Sequence, residues 1–271
     1  MNHPLPKNPL RVTLVQNSAG SDHTANLAWL EKNLPPADAT DLIALPEVFA
    51  FRGNDDDYRA AAEPADGKLA CWLAAQANVR RAWLLAGSVL ERDGKNIFNT
   101  SLLFDRSGRL VATYRKIHLF EARLESGHVI RERDVYEPGD HPVMADIEGW
   151  RCGLSICYDV RFPELFRHYS EKGATLLAIP SNFTQHTGRD HWETLVRARA
   201  IENQCFVIAP DQCGSNPRIR SKSHGHTLAV GPWGEVLAAA ADEPAVLNVT
   251  LDPALLRATR ERVPALAHRR M

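Results

Sequence analysis

Three residues stand where an apolar strand should simply turn. Glu47 follows Leu42-Ile43-Ala44-Leu45-Pro46, Lys116 follows a strand-like run ending near Tyr114, and Cys157 follows Gly153-Leu154-Ser155-Ile156. In α/β proteins, ligands bind beyond the carboxyl ends of strands, where loops converge. A carboxylate, an ammonium and a thiol meeting there form a set for acyl transfer. A free thiol is mostly protonated at neutral pH. The carboxylate can take its proton, and the ammonium can favour the thiolate. The ammonium, with the backbone N–H of Tyr158, would then hold the oxyanion, provided Cys157 sits on a sharp strand-to-helix turn. Each residue also has a plainer reading: a small buried hydrophobe for Cys157, a turn residue for Glu47, surface charge for Lys116. His118, His186 and His191 could instead pair with a cysteine in a papain-like arrangement, but no sequence signature of that kind is present.

The elements that must position these groups follow from hydrophobic periodicity. Residues 11–16 and 41–45 read as strands, the second a continuous apolar run suited to burial on both faces. Residues 23–34 carry Leu27, Leu30 and Leu34 at helical spacing, and 68–80 read as a second helix. Strands are expected at 83–91, 96–104 and 109–114, the last two joined by the turn Asp105-Arg106-Ser107-Gly108. The charged stretch 120–142 reads as a long surface loop. A hairpin over 143–156, a helix after Pro163, a strand at 174–179 and a helix at 190–203 come next. Asp190, His191 and Glu193 are expected to cap and buttress that helix. Four strands complete the chain, at 205–210, 227–231, 236–240 and 246–251. This order makes one α/β domain of residues 1–271, with mixed parallel and antiparallel pairing and a flexible tail over 1–9.

Composition narrows the function classes. With 44% hydrophobic and 24% charged residues, the 271-residue chain has the make-up of an ordinary globular protein. Its 32 Lys and Arg nearly balance 33 Asp and Glu, so no global field draws it to nucleic acid or anionic lipid. The five cysteines are odd in number and lack Cys-x-x-Cys spacing, which argues against a disulfide framework or a zinc knuckle. Neither a signal-peptide core nor an apolar run near the ~18 residues of a membrane span is present. The expectation is a cytoplasmic protein with reduced thiols and no membrane or nucleic-acid partner.

The residues around the three strand ends add a resemblance. Leu45-Pro46-Glu47, Tyr114-Arg115-Lys116-Ile117-His118-Leu119 and the run from Cys157 to Leu165 resemble, in order, the three signature blocks of the nitrilase superfamily of carbon–nitrogen hydrolases. Likeness extends from Gln16 to Trp233-Gly234. The stretches 180–187, 197–204 and Gly225-His226 are most similar to the branch of Nit amidases, which includes deaminated glutathione amidase and omega-amidase. The resemblance implies a four-layer α-β-β-α sandwich with mixed sheets that forms homo-oligomers, as a dimer or a dimer of dimers. It implies Cys157 as nucleophile, Glu47 as general base and Lys116 as oxyanion stabiliser, acting on a small-molecule amide through a thioester without metal or cofactor. A second active-site glutamate falls best on Glu132, with Glu125 and Glu137 as alternatives. Arg161, Phe183 and Thr187 would line the substrate pocket. Arg161 could equally pair with Asp159 or Glu164, and Phe183 could be plain core packing. The expected substrate is deaminated glutathione, cleaved to α-ketoglutarate and cysteinylglycine, with α-ketoglutaramate as the alternative. A non-catalytic scaffold or metabolite-binding protein on the same fold is the reading from a different class.

Overall fold

Alternation along the strands sets the layers. The structure, a computed structural model, describes residues 4–123, 129–216 and 222–270. The first half runs β1 (Leu10–Gln16), α1 (His23–Asn33), β2 (Leu42–Ala44), α2 (Asp55–Ala61), α3 (Lys68–Arg80), β3 (Trp83–Asp93), β4 (Asn96–Phe104) and β5 (Leu110–Arg115). A ribbon of β6 (Glu121–Arg123) and β7 (Val129–Arg131) leads into a 3₁₀ turn, Glu132–Asp134. The second half runs β8 (Met144–Ile147), β9 (Trp150–Leu154), a 3₁₀ turn (Cys157–Arg161), α4 (Pro163–Glu171), β10 (Leu176–Ala178), α5 (Gln185–Asn203) and β11 (Phe206–Ala209). The short pair β12 (Cys213–Gly214) and β13 (Ser223–His224) precedes β14 (Leu228–Val230), β15 (Val236–Ala239), β16 (Ala245–Leu251) and α6 (Pro253–Arg262).

Two six-stranded sheets result, ordered β16-β1-β2-β3-β4-β5 and β15-β14-β11-β10-β9-β8. Each has a parallel centre, β1/β2/β3 or β9/β10/β11, flanked by antiparallel strands. In the first sheet, Leu10, Val12, Leu14, Leu42, Ala44 and Leu85 point one way. They share a buried cluster with Cys152, Leu154, Leu176 and Ala178 of the second sheet. Their neighbours Val15, Ile43, Leu84 and Ala86 point the other way, onto Leu30 of α1 and Leu73 and Ala77 of α3. On the far side of the second sheet, Tyr169 of α4 presses on Gly153, where a Cβ would lie 2.5 Å from its ring. Trp192, Val196 and Ala200 of α5 join the same core. The layers are therefore helix, sheet, sheet, helix, as the family resemblance implies.

Several local expectations change. The helix expected at 190–203 starts at Gln185, because the Thr184 side chain accepts from Thr187 N and caps it. Asp190 and His191 lie inside that helix, and Glu193 pairs with Arg197 at 3.1 Å. The stretch 120–142 is not one open loop. Its first part forms the ribbon, whose exposed strands pair Glu121 with Arg131 at 3.3 Å, so its charges sit on a sheet edge facing water. Helix α2, not expected from the sequence, packs only Tyr58 and Ala61 on the apolar cluster of Val48 and Tyr136; a reciprocal capping box between Asn54 and Asp57 starts it. The leading residues 4–9 are not a free tail. Leu5 packs on the core, and Asn8 O accepts from Trp150 Nε1 at 3.1 Å.

Candidate active site

Both sheets deliver their strand ends to one cavity of about 570 Å³, lined among others by Glu47, Glu132, Cys157, Tyr158, Arg161 and Phe183. Thr187 also lines it, whereas none of His118, His186 and His191 does. The turn after β2 places Glu47, because β3 passes it at very close range. A Cβ at Gly87 would lie 2.0 Å from Leu45 O and 2.2 Å from Pro46 O, so only glycine fits. Val48 then takes the left-handed conformation, φ 46°. Lys116 is fixed just beyond β5, where its N–H donates to Asn99 O at 2.9 Å.

The charged groups form one buried cluster. Lys116 Nζ lies 2.9 Å from Glu47 Oε1 and 2.8 Å from Glu132 Oε1, and its side chain is only 1% exposed. Every oxygen of the two carboxylates is engaged. Glu47 Oε1 also accepts from Asn99 Nδ2 at 2.8 Å, and Oε2 from Asn182 N at 2.8 Å. Glu132 Oε2 accepts from Phe120 N at 2.7 Å. Burial works against the Lys116 charge, but Glu132 and Glu47 outweigh it and hold the ammonium well above its ordinary pKa. Glu132 is raised by burial and by Glu47, with Lys116 opposing. Glu132 is thus the second glutamate that the cluster brings in. Glu137 is exposed and its N–H donates to Ile97 O. Glu125 lies outside the described residues.

Cys157 opens the 3₁₀ turn after β9 in the left-handed conformation, φ 47°. That is a strained backbone for a residue with a Cβ. Being second in a new turn, Tyr158 has an N–H of the kind that lacks an intrahelical partner. Burial, and then the Glu47 carboxylate, push the Cys157 thiol well above its ordinary pKa, against the pull of Lys116 and the Asn182 N–H. Lys116 thus pulls towards the thiolate, as expected of its charge, while burial and Glu47 oppose it.

Asp159 locks the two strand ends together. Fully buried, it accepts from Tyr114 Oη at 2.7 Å and His118 N at 3.0 Å, on either side of Lys116. It also accepts from Ile156 N at 2.8 Å, beside Cys157, and its Oδ1 lies 2.8 Å from His118 Nδ1. Of the pocket residues, Arg161 makes no ion pair with Asp159 or Glu164 among the described residues. Its guanidinium lies over the rings of Phe183 and Tyr158, at 5.3 and 5.8 Å, and 3.3 Å from His191 Nδ1. Phe183 both lines the cavity and packs on Trp192 at 4.9 Å. Thr187 Oγ1 is 2.8 Å from Thr184 Oγ1.

Sequence reasoning missed Asn99, Asp159 and Asn182. A signal existed for Asn99, since asparagine is depleted in strand interiors and here follows Ile97-Phe98 inside the run 96–104 that reads as a strand. For the other two, the partners lie 45 and 135 positions away, at Tyr114 and Glu47. No trio of His, Cys, Asp or Glu among the described residues is arranged to hold a metal.

Comparisons with known proteins agree with this geometry. The carbon–nitrogen hydrolase family matches residues 11–261. Deaminated glutathione amidase of Yersinia enterocolitica is 37% identical, with 96% of this chain and 92% of that protein covered. Omega-amidase NIT3 of Saccharomyces cerevisiae is 33% identical, with 96% and 93% covered. The crystal structure of Saccharomyces cerevisiae Nit3, of branch 10 of the nitrilase superfamily, superimposes with a TM-score of 0.88 at 30% identity over 100% of both chains. With relatives matching along almost its whole length and the fold shared, the chain belongs to the carbon–nitrogen hydrolase family of the nitrilase superfamily, as an amidase acting on non-peptide carbon–nitrogen bonds.

Proposed function

We propose that the protein hydrolyses deaminated glutathione to α-ketoglutarate and cysteinylglycine through a thioester on Cys157. The observation that carries the mechanism is the buried Glu47–Lys116–Glu132 cluster, whose two carboxylates share with Cys157, on its strained turn, the lining of one cavity. Cys157 Sγ attacks the amide carbon while Glu47 takes the thiol proton. The carbonyl electrons move to oxygen, where the Lys116 ammonium and the Tyr158 N–H stabilise the charge. Collapse expels the cysteinylglycine amine, which receives from Glu47 the proton taken from the thiol, with Glu132 beside it, and leaves the thioester. Water, deprotonated by Glu47, then attacks the thioester carbon and releases α-ketoglutarate and the thiol. No cofactor enters these steps. The Arg161 guanidinium, which makes no ion pair with a carboxylate among the described residues, suits the α-keto acid carboxylate of the acyl group, with Phe183 and Thr187 beside it. A cavity of about 570 Å³ has room for a tripeptide-sized amide.

A second reading, hydrolysis of α-ketoglutaramate with loss of ammonia, rests on the likeness to omega-amidase NIT3. The acyl group is the same, so Arg161 and the catalytic set serve both. The deciding experiment measures product release from wild type and Cys157→Ala on the two amides. We expect the higher kcat/KM on deaminated glutathione and a loss of about 10⁴-fold or more in the variant. A higher kcat/KM on α-ketoglutaramate transfers the role to the second reading, and an active Cys157→Ala sinks the mechanism.

We also infer a homo-oligomer, a dimer or a dimer of dimers. Ile201, Trp233 and Val263, each 44–50% exposed, share a surface groove with Arg167 and Arg269, an apolar area that a second copy would cover. A cytoplasmic location is inferred from five free cysteines. No helix among the described residues is long and apolar enough to cross a membrane.

A further inference from the structure

Arg52 is a buried charge that makes no contact ion pair among the described residues, with the Asp211 carboxylate acting on it only through space. It is fully buried, and its side-chain acceptors among the described residues are all neutral. Nε donates to Ala19 O at 2.7 Å, one terminal nitrogen donates to Ser223 Oγ, and the other reaches Ser18 Oγ at 3.3 Å and Cys213 O at 3.2 Å. Charged side chains are almost never fully buried unless paired, so this one is held in place at a cost. Its hydrogen bonds have a direction that elementary valence dictates. Arginine only donates, so Ser223 Oγ must accept from it. The Ser223 hydroxyl proton is then free to go to Asn182 Oδ1, 2.6 Å away. Asn182 Oδ1 is the acceptor of that bond, the orientation that uses the hydroxyl both as acceptor from Arg52 and as donor. Its Nδ2 has no partner among the described residues. Asn182 and Ser223 both line the cavity that holds Cys157, and the backbone N–H of Asn182 already holds the Glu47 carboxylate.

The geometry points to Asn182 Nδ2 as an oriented hydrogen-bond donor to an oxygen on the acyl chain of the substrate, fixed by the relay Arg52–Ser223–Asn182. Chains of hydrogen bonds polarise one another, so a guanidinium at one end makes the amide N–H at the other a better donor. Asn182 is a substrate-specificity residue; Ser223 and Arg52 are positioning residues that act through it. The acyl group it selects carries an acceptor beyond the scissile carbonyl, such as a 2-oxo or carboxylate oxygen. This rests on the amidase reading above and narrows its substrate class.

The test compares kcat/KM on three amides of graded oxygen content: α-ketoglutaramate, glutaric acid monoamide and butyramide. We expect Asn182→Ala to reduce the preference of the enzyme for the oxygen-bearing amides over butyramide by about 10-fold or more. Ser223→Ala, which leaves Asn182 in place but frees its amide to rotate, is expected to move the same ratio by about 3-fold or more. A merely structural role would lower all three rates together and leave the ratio unchanged, which overturns the inference, as does an unchanged ratio in Asn182→Ala at full activity. The substrate proposal is read separately from wild type alone. A wild type that prefers glutaric acid monoamide to α-ketoglutaramate removes the α-keto acid reading while the Asn182 ratio still stands. One that prefers butyramide overturns both.

Discussion

The floor of the cavity and its outer wall are built by different means. The floor consists of strand ends, Glu47 after β2 and Cys157 after β9, with Lys116 after β5 held against Glu47 beneath the lining; all three are buried and fixed by the backbone of two sheets. The wall is made of the β6–β7 ribbon and the start of α2, where Arg131, Asp55 and Asp56 are exposed. Glu132 joins the two, reaching from the wall to Lys116. The difference suggests a division of labour. The floor conserves a geometry that attack on a carbonyl demands, and the wall can vary with the leaving group.

Changes on the floor should therefore cost both rate and stability, and the largest loss of stability is expected at Lys116. Lys116→Met leaves two buried carboxylates facing one another without a cation. Breaking such a buried ion set costs about 3–5 kcal/mol, and losing the oxyanion donor costs about 10²–10³ in kcat. Urea unfolding together with steady-state kinetics measures both. A variant destabilised by less than about 1 kcal/mol would erase the distinction drawn here.

Glu132→Gln probes the junction. It keeps the shape and removes one of two carboxylates that repel each other, so stability should stay within about 1 kcal/mol of wild type. Activity should still fall by about 10²-fold, because Lys116 loses one of the two carboxylates that aim it. Loss of stability without loss of rate would place Glu132 with the fold rather than the chemistry.

The smallest effect belongs to neither region. His224 is pushed down to about 4, by burial first and then by His226, with Arg189 adding to this and Asp242 opposing it. In the unfolded chain a histidine titrates near 6.5. Between those values the unfolded chain binds a proton that the folded one refuses. The contribution is thus complete above about pH 6.5 and is lost as pH falls towards 4, with a slope of at most about one proton. His224→Phe should flatten the dependence of Tm on pH over that window, and an unchanged slope would show that other groups cause it.

The same contrast explains what the sequence displayed. Strand ends are legible because a short apolar run broken by Pro46-Glu47, Lys116 or Cys157 is visible locally. Helix α3 fell at 68–80 as expected because its apolar face and its left-handed stop at Arg81 are local too. The wall was harder. The pairing of Glu121 with Arg131 sets the ribbon, and that stretch reads as bare charge until the strands meet. Helix α2 was hidden because Asn54 and Asp57 start it and its apolar face is only Tyr58 and Ala61, too short to show a period. Helix α5 was read too short because its first five residues carry no apolar pattern and depend on Thr184. In the site, the functional types were visible but their holders were not. Asp159 and Asn182 act on groups brought near only by tertiary folding.

One consequence of the two-sheet plan concerns how the protein comes to work at all. Glu47 and Lys116 belong to one sheet and Cys157 to the other, and the Glu47 N–H reaches across to Ser181 O at 3.3 Å. Neither sheet alone holds a working centre. A chain whose strands have formed but whose halves have not yet docked would already give the circular dichroism of a finished fold while remaining inert. Recovery of turnover during refolding thus marks the moment the two halves close on each other, and the enzyme carries its own assay for that step.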